Sequence, residues 1–428
     1  MTRREMLALA GGACLVRGAT EPDVRLKVDP INLEIGPKKF VKTLAYNGQV
    51  PGPLLRFPVG KTITVEVTNN TADMELLHWH GFHIPPEVDG AHEEGTPHIP
   101  AHGTQSYTFT IDPAGTRWYH SHNMAGRNFQ KGPYTGQFGM FIVDPRENPA
   151  AYDLDIPILL HDWQPFLGND DVEYKLYSIN GKMLGSGEPI RVKPGQRALL
   201  RLLNASATLT HRLALPGHRF RVIALDGNTV PVPQDVPSVD LAPGDRVDAM
   251  VEMNTPGVWV LGETNPEMRN GGMGIVLEYA DRKGDPRWLP PQDFPWDYTI
   301  FGGSETAPAP DGKFPMEIKE HGQHHWTING KSWPQADKLM VQNGKRYRML
   351  FDNQSALAHP LHLHRHTFEI TRYLGKTTSG LLKDVVVVPA WKQVEIDVIA
   401  DHPGLSLFHC HQQFHMDMGL MTLMVYAG

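Results

Sequence analysis

Hydrophobic and polar residues alternate in short runs along most of the chain, which is the pattern of half-buried β-strands. The run from Thr62 to Val67 alternates polar with apolar side chains, and runs at 107–111 and 394–398 do the same. Glycine and proline, 41 and 36 of the 428 residues, bound many of these runs. Period-two alternation between such residues is typical of β-sandwiches, so we predict an all-β fold.

The alternating runs belong to a unit that occurs three times. Each copy contains an Asn-Gly pair, then a second glycine 12 to 14 residues later, and then an asparagine nine residues beyond that glycine. The Asn-Gly pairs start at Asn47, Asn180 and Asn329, and the later asparagines are Asn69, Asn204 and Asn353. A Pro-Gly or Pro-Ala-Gly turn follows in each copy, ending at Gly115, Gly257 and Gly404. Such an ordered set indicates three repeated domains.

We therefore predict three consecutive β-sandwich domains, at residues 24–147, 150–282 and 312–428. The segment 283–311 contains six prolines and is predicted to be a linker or a long surface crossover. Residues 1–23 are predicted to be an export signal.

The predicted signal contains Arg3 and Arg4 followed by a mildly apolar run to about Val16, which resembles a twin-arginine signal. The alternative is a disordered start that happens to contain two arginines. An export signal implies a periplasmic or secreted protein, and it would remove Cys14, leaving Cys410 as one free thiol. No later segment reaches the ~18 uninterrupted apolar residues of a membrane helix, so no membrane span is predicted.

The charge distribution argues against nucleic acid as a partner, and the histidine content argues for metal. The net charge of -7 comes from interspersed charges, and no basic patch is combined with aromatic residues, so nucleic acid is not an expected partner. The 22 histidines fall mostly in short clusters. Clustered imidazoles indicate a metal site.

The clusters occupy matching positions of the repeat. Copies one and three each carry two His-x-His pairs in the same register, and copy two carries none at these positions. The eight histidines are His78, His80, His120, His122, His362, His364, His409 and His411. Residues two apart in a strand project to the same side, so each pair presents two imidazoles to one place. The pattern favours a copper or zinc site between domains one and three, with domain two as a spacer, over surface or core histidines.

Copy three contains three more candidate ligands. Cys410 lies between His409 and His411, His359 precedes His362 by three residues, and His415 follows Cys410 by five. Two imidazoles and one thiolate form the trigonal site of blue copper, whereas zinc would need a fourth firm ligand. The chain around Cys410 would then provide a covalent electron route to the eight-histidine site.

These motifs resemble those of the multicopper oxidases. The four matching segments are His78-Trp79-His80-Gly81, Trp118-Tyr119-His120-Ser121-His122, 359–364 and 409–415. The resemblance implies cupredoxin-like Greek-key sandwiches, four copper ions and a laccase-like oxidase that reduces dioxygen to water. It implies that His78 and His362 bind the type 2 copper, and that His359, Cys410 and His415 bind the type 1 copper. The type 3 pair would be held by His80, His120, His122, His364, His409 and His411.

Asp89 matches a family carboxylate that helps to deliver protons, although a turn aspartate before Gly90 is an equally weighted alternative. The family's axial type 1 position is Leu420, a residue that cannot coordinate, so the reduction potential should be high. Some bacterial relatives carry a relay glutamate where this chain has Met416, so the chain departs from the family at the second proton relay, with Asp417 as the candidate substitute.

Only the short segment 373–382 stands where cuprous oxidases have a methionine-rich insertion. This difference predicts an open type 1 site for bulky phenols or aromatic amines. Met416, Met418 and Met421 could instead bind Cu(I), although core packing is the preferred interpretation.

The expected partners are dioxygen and a small-molecule or metal-ion reductant. A cuprous or other metal-ion oxidase is the main alternative, followed by a copper-free structural relative and a copper nitrite reductase. The sequence leaves the oligomeric state open, with a monomer favoured.

Overall fold

The computed structural model of the protein describes residues 21–147, 151–322 and 324–427. The two arginines and Cys14 of the predicted export signal lie outside the described residues. The three α-helices of the described chain are α1 (Pro86–Asp89), α2 (Pro266–Asn270) and α3 (Gln413–Asp417). None of the described helices has the length and apolar character needed to cross a membrane.

The described chain contains 32 strands, in agreement with the all-β fold that the alternating pattern predicted. The first eight are β1 (Val24–Gly36), β2 (Lys39–Tyr46), β3 (Leu55–Pro58), β4 (Thr62–Asn69), β5 (Leu77–His80), β6 (Thr104–Thr110), β7 (Gly115–Ser121) and β8 (Phe138–Asp144). The middle part contains β9 (Leu154–Trp163), β10 (Phe166–Leu167), β11 (Val172–Glu173), β12 (Leu176–Ile179), β13 (Ile190–Val192), β14 (Arg197–Asn204), β15 (His211–Ala214), β16 (Phe220–Leu225), β17 (Asn228–Val236), β18 (Val239–Leu241), β19 (Arg246–Glu252), β20 (Val258–Glu263) and β21 (Gly274–Tyr279). The last part contains β22 (Gly312–His321), β23 (His325–Ile328), β24 (Leu339–Val341), β25 (Arg346–Asn353), β26 (His359–Leu363), β27 (Phe368–Tyr373), β28 (Lys376–Lys383), β29 (Val385–Val388), β30 (Gln393–Ile399), β31 (Leu405–Cys410) and β32 (Met421–Tyr426).

Thirty of these strands form three pairs of sheets, one pair in each third of the chain, and β10 and β11 form a separate hairpin. The sheet orders are β2-β1-β4-β6 with β3-β8-β7-β5, then β12-β9-β14-β19-β16-β17 with β13-β21-β20-β15-β18, then β23-β22-β25-β30-β27-β28 with β24-β32-β31-β26-β29. The repeat predicted three sandwiches, and sheets that pair sequentially distant strands in two layers have the Greek-key form that the family resemblance implies. The predicted fold class, three consecutive cupredoxin-like sandwiches, is confirmed.

The repeated asparagines have a structural cause. Each Asn-Gly pair has positive φ at both residues, for example 53° and 70° at Asn47 and Gly48, as a tight two-residue hairpin turn requires. Asn69, Asn204 and Asn353 are fully buried. The side-chain amide of each donates to the carbonyl of a residue four or five positions ahead, at 2.7–2.8 Å. The repeat therefore preserves a buried hydrogen bond that shapes the loop before the histidine strands.

The proline-rich segment 283–311 contains no strand but crosses the molecule with buried anchors. Its short 3-10 turn, Tyr298–Phe301, buries both terminal aromatic rings. They belong to one apolar core that continues through the second and third sandwiches. The segment therefore holds these two sandwiches together as well as connecting them.

Candidate metal centre

Two pairs of antiparallel strands position the eight histidines. In β5 and β7, His78 lies opposite His120, and in β26 and β31, His362 lies opposite His409. The second histidine of each pair lies two residues further along, so its side chain points to the same side. Each outer sandwich therefore presents four imidazoles from neighbouring strands.

The two sets of imidazoles meet between the first and third sandwiches. The ring of His78 stacks on that of His364 with centroids 3.9 Å apart, and His80 stacks on His362 at 3.8 Å. The ring centroids of His78 and His362, which lie 284 positions apart in the chain, are separated by 5.7 Å. All eight side chains are buried. The structure thus brings together the eight residues that the repeat register selected.

The nitrogen atoms of these rings provide a test of whether a metal fits. Seven buried nitrogens of these eight rings have no hydrogen-bond partner in the described protein: Nδ1 of His80, Nε2 of His78, His120, His122 and His362, and both nitrogens of His411. His364 and His409 bring their Nε2 atoms within 3.0 Å of each other. A buried polar atom without a partner is costly, and so many converging lone pairs are explained by metal ions bound among them. The donor set is therefore suited to copper.

The opposite nitrogen of several rings is held by the protein. Nδ1 of His78 and of His362 donate to the backbone carbonyls of Asp89 and Asp384, at 2.8 and 2.7 Å. Nδ1 of His409 donates to the carbonyl of Cys410 at 2.8 Å. Such bonds fix the tautomer and direct the Nε2 lone pair towards the centre.

Burial also keeps the imidazoles neutral. It is the largest cause that lowers the pKa of His80, His120, His122, His362, His364 and His411 well below the usual range. The pKa of His409 is lowered to about 3, again mainly by burial. Neutral imidazoles are the form that coordinates a metal.

A second, smaller cluster lies on the third sandwich. Nδ1 of His359 and Nδ1 of His415 are 3.1 Å apart, and each lies 3.7 Å from Sγ of Cys410. The ring of Trp326 packs against both imidazoles at 4.5 and 4.4 Å. Burial raises the pKa of the Cys410 thiol, so a thiolate at this position requires a nearby cation. Leu420, whose carbonyl accepts from the Cys410 backbone N–H at 3.0 Å, is buried in the same apolar core.

A domain-two hairpin covers the outer edge of this cluster. Nε2 of His415 lies 3.4 Å from Oδ2 of Asp171, and the His415 side chain is 1% exposed against 18% for Asp171. The site is therefore less open than the short segment 373–382 suggests, and the partly exposed Asp171 lies beside the edge of His415. That segment is itself the β27–β28 hairpin rather than an irregular loop.

Met416 and Met421 are buried in a small apolar cluster, as the packing interpretation expects.

Two buried carboxylates lie beside the eight-histidine cluster. Oδ2 of Asp89 accepts from Nδ1 of His364 at 2.8 Å, and Oδ1 of Asp89 is buried without a partner. Glu94, which the sequence did not single out, lies 3.4 Å from the same Nδ1. Burial, and then the charge of Asp89, raises the pKa of Glu94 well above its usual range. Gly90 has φ 102°, and a Cβ there would lie 2.0 Å from the carbonyl oxygen of Leu77, so glycine is needed to bring Asp89 this close.

The middle sandwich contributes none of the eight histidines, but it does contribute charge. Arg246 donates to both carboxylate oxygens of Asp384, at 2.6 and 2.5 Å, and Oδ1 of Asp384 lies 3.0 Å from Nε2 of His80. Lys383 also binds Asp226 of the middle sandwich at 3.0 Å. These side chains are fully buried, so the middle sandwich is more than a spacer. The sequence comparison looked for histidines at matching positions of the copies. Copy two has none there, so the comparison gave no reason to single out Arg246.

One position of the repeat carries a different buried polar group in each sandwich. It is Ser121 in the first, Glu263 in the second and Cys410 in the third. Ser121 donates to Glu75 at 2.6 Å, and Glu263 lies 3.1 Å from Nδ1 of His211. The same location therefore holds a hydroxyl–carboxylate pair in the first sandwich, an ionic cluster in the second, and a thiol with two imidazoles in the third.

The ionic cluster of the middle sandwich predicts a pH-dependent stability. Burial by itself lowers the pKa of His211, but Asp162 at 2.9 Å and Glu263 outweigh burial and raise it to about 10. The proton on His211 therefore stabilises the fold fully below about pH 6.5, and this contribution is lost as pH rises towards 10. We expect wild-type unfolding free energy to fall across that interval. A variant with His211→Gln, Asp162→Asn and Glu263→Gln should show a smaller fall in denaturant titrations, and an equal fall would contradict the assignment.

Comparisons with known proteins agree with this geometry. Three family models, each described as multicopper oxidase, match residues 27–148, 160–281 and 306–427. The chain is 30% identical to multicopper oxidase MmcO of Mycobacterium tuberculosis, over 94% of this chain and 86% of that protein. It is 24% identical to copper resistance protein A of Escherichia coli, over 97% and 94% of the two chains. Among solved structures, Fet3p, a multicopper oxidase that functions in iron import, matches with a TM-score of 0.82 at 18% identity, over 94% of this chain and 90% of that one.

Proposed function

Because the chain belongs to the multicopper oxidase family, whose members are copper-dependent oxidoreductases that use dioxygen, we propose that it is a laccase-like oxidase. It would take single electrons from a phenolic or aromatic reductant and use four of them, with four protons, to convert one dioxygen to two waters. The observation that carries the proposal is the buried set of unpaired imidazole nitrogens between the first and third sandwiches.

The proposed ligands follow from the two clusters. His78 and His362 would hold a type 2 copper, and His359, Cys410 and His415 a type 1 copper. A type 3 pair would be held by His80, His120, His122, His364, His409 and His411. Copper, when bound, supplies the one-electron chemistry at the smaller cluster and the reduction of dioxygen at the larger one.

The chain's own groups orient these ligands and keep water out. The carbonyls of Asp89 and Asp384 each hold one ring by its Nδ1–H. Burial of all eight imidazoles limits access by bulk water, which protects the reacting site from side reactions. Cys410 would be a ligand whose two chain neighbours are ligands of the larger cluster, so only a few covalent bonds separate the two sites.

Protons for water formation would be held at Asp89 and Glu94. Oδ1 of Asp89 is buried and unpaired, and Oδ2 accepts from His364, so Oδ1 is the available proton position. Glu94 has a raised pKa and also lies beside His364. Glu94, whose raised pKa favours a bound proton, and the unpaired Oδ1 of Asp89 are therefore suited to proton delivery.

The reductant would meet the protein beside Asp171. Its carboxylate can accept a hydrogen bond from a phenol or aromatic amine that lies against the edge of His415. The same negative charge can attract a metal ion, and one relative is named copper resistance protein A, so oxidation of Cu(I) is the second candidate function. Burial of Met416 and Met421 in an apolar cluster argues against those two residues as Cu(I) ligands. A periplasmic or secreted location remains part of the proposal.

A single preparation tests the proposal. Copper-loaded protein should contain about four copper ions per chain, be blue, and consume oxygen with a reductant. Oxygen uptake should be measured with phenols, Cu(I), Fe(II) and Mn(II). Faster turnover of phenols would support the laccase-like function, and rates far higher on Cu(I) would favour the metal-ion oxidase. Absence of colour would favour a copper-free relative, and nitrite turnover without oxygen uptake would favour a nitrite reductase.

A further inference from the structure

A second group of histidines lies at the surface seam between the first and third sandwiches, apart from the two clusters described above. His83 follows β5, and His402 lies between β30 and β31. Their ring centroids are 4.4 Å apart, with an interplanar angle of 41°. Each has an aspartate beside it, Asp112 and Asp401. The His83 and His402 side chains are 17% and 27% exposed, so solvent ions can reach them.

One tautomer of His83 leaves its Nδ1 without a proton. Nε2 of His83 lies 3.0 Å from Oγ1 of Thr367, which can accept its proton. In that tautomer the lone pair of Nδ1 faces Oδ2 of Asp112 at 3.6 Å. Two electron-pair donors then face each other with no proton between them, and the separation is too long for a hydrogen bond. A cation between them would satisfy both.

His402 also has a ring nitrogen that faces a carboxylate oxygen. Its Nε2 lies 3.4 Å from Oδ1 of Asp401. Burial, and then the neighbouring His83, lowers the pKa of His402, which keeps the ring neutral and able to coordinate. Two ligands of a tetrahedral zinc ion lie about 3.4 Å apart, because each metal–ligand bond is about 2.0–2.2 Å. Both nitrogen–oxygen gaps are close to that separation.

Neighbouring groups hold the two histidine loops together. Arg365 donates to the carbonyl of Ile84 at 2.7 Å and to that of His402 at 3.2 Å, so it joins the loop after β5 to the loop before β31. Backbone N–H of His402 donates to the hydroxyl of Tyr426 at 3.0 Å. His366, the third histidine nearby, is not an available ligand, because Nδ1 is 3.1 Å from a carbonyl and Nε2 is 2.8 Å from Tyr426.

We propose that His83, Asp112, Asp401 and His402 form a binding site for one divalent transition-metal ion, of the zinc or copper(II) class. Mixed imidazole and carboxylate ligands suit these ions. Two ligands come from the first sandwich and two from the third, so the bound ion links the domains that enclose the eight-histidine cluster. The site does not depend on the proposed oxidase activity, because a redox-inert ion can occupy it.

The test uses copper-loaded protein from which exposed copper has been removed by dialysis against a chelator, so that only the buried metal sites are occupied, and titrates it with Zn²⁺ against a chromophoric zinc indicator. We expect one additional zinc ion per chain and a higher thermal midpoint in its presence. His83→Gln and His402→Gln each remove a direct ligand. Loss of a group that only orients a ligand weakens metal binding roughly 10- to 100-fold, so these two variants should weaken zinc binding by more than that. Asp401→Asn, at a side chain that is 55% exposed, provides a milder variant whose folding should be unaffected.

His98→Gln is the matched control. His92 and His98 form another histidine pair, with centroids 4.5 Å apart, but neither belongs to the proposed site. This variant should bind zinc as the wild type does. Two results would overturn the proposal: no additional zinc on the wild type, or unchanged affinity in both His83→Gln and His402→Gln. If His98→Gln alone loses the ion, the ion binds at the control pair and the proposal is wrong.

Discussion

Replacing Cys410 by serine is expected to abolish the blue colour and the oxidase activity while leaving the fold intact. The thiol lies 3.7 Å from both His359 and His415, and serine has the same shape in a slightly smaller side chain but cannot supply a thiolate. The copper content should fall from about four to about three per chain, because one site loses its anionic ligand. Visible absorption, metal analysis and oxygen uptake measure these effects, with circular dichroism to check the fold.

The matched control is Ser121→Ala, at the equivalent position of the first sandwich. That serine bonds to Glu75 and touches neither His359 nor His415, so the variant should keep the blue absorption. A Cys410→Ser protein that stays blue and turns over normally would refute the assignment of the smaller cluster.

Removing Arg246 should have the largest effect on stability. Its guanidinium binds both oxygens of Asp384, and both side chains are fully buried. Arg246→Met would leave a buried carboxylate whose remaining arginine partner is the more distant Arg117, at 3.6 Å. Breaking a buried pair in this way costs about 3–5 kcal/mol of unfolding free energy. Asp384 contacts His80, a proposed type 3 ligand, and its backbone carbonyl holds His362, a proposed type 2 ligand. The variant should therefore bind less copper at the larger cluster, measured as copper per chain and as a changed type 2 electron paramagnetic resonance signal.

Two further variants distinguish the two-pronged contact of Arg246 from its charge, and from a general effect of removing an arginine. Arg246→Lys keeps the charge but loses the two-pronged contact, so its copper content should lie between those of wild type and Arg246→Met. Arg348→Met removes a part-buried arginine from Asp397, which retains Arg346, and should change neither copper content nor the resonance signal. If Arg246→Met binds copper with the wild-type signal, Arg246 has no role in orienting His80.

The sequence revealed the histidines because the repeat fixes their register. Asn69 and Asn353 each precede a histidine strand by the same number of residues, and equal loops bring His78 and His362 to equivalent points of two similar sandwiches. Strand alternation likewise predicted β4, β6 and β30. These features are local, or are copied from one domain to the next, so a single sequence is enough to identify them.

Groups that lie in only one copy were harder to predict. Arg246 acts on Asp384 from a position 138 residues away, and Asp171 reaches His415 from a hairpin of another domain. Neither has a counterpart in the matching copies that would mark it. Glu94 was missed because its burial depends on contacts with β31, where it accepts the backbone N–H of Leu407. Such contacts between domains follow from how the sandwiches pack, which no short segment of sequence specifies.

The shared position of Ser121, Glu263 and Cys410 bears on how this architecture can be redesigned. A buried polar atom is tolerated there only with partners from adjacent loops, namely Glu75, His211, or His359 with His415. Moving the cysteine alone into the first or second sandwich would therefore leave an unmatched thiol beside a carboxylate. Grafting a second electron-accepting centre requires exchanging the whole loop set, and the common backbone of the three units makes such an exchange geometrically feasible.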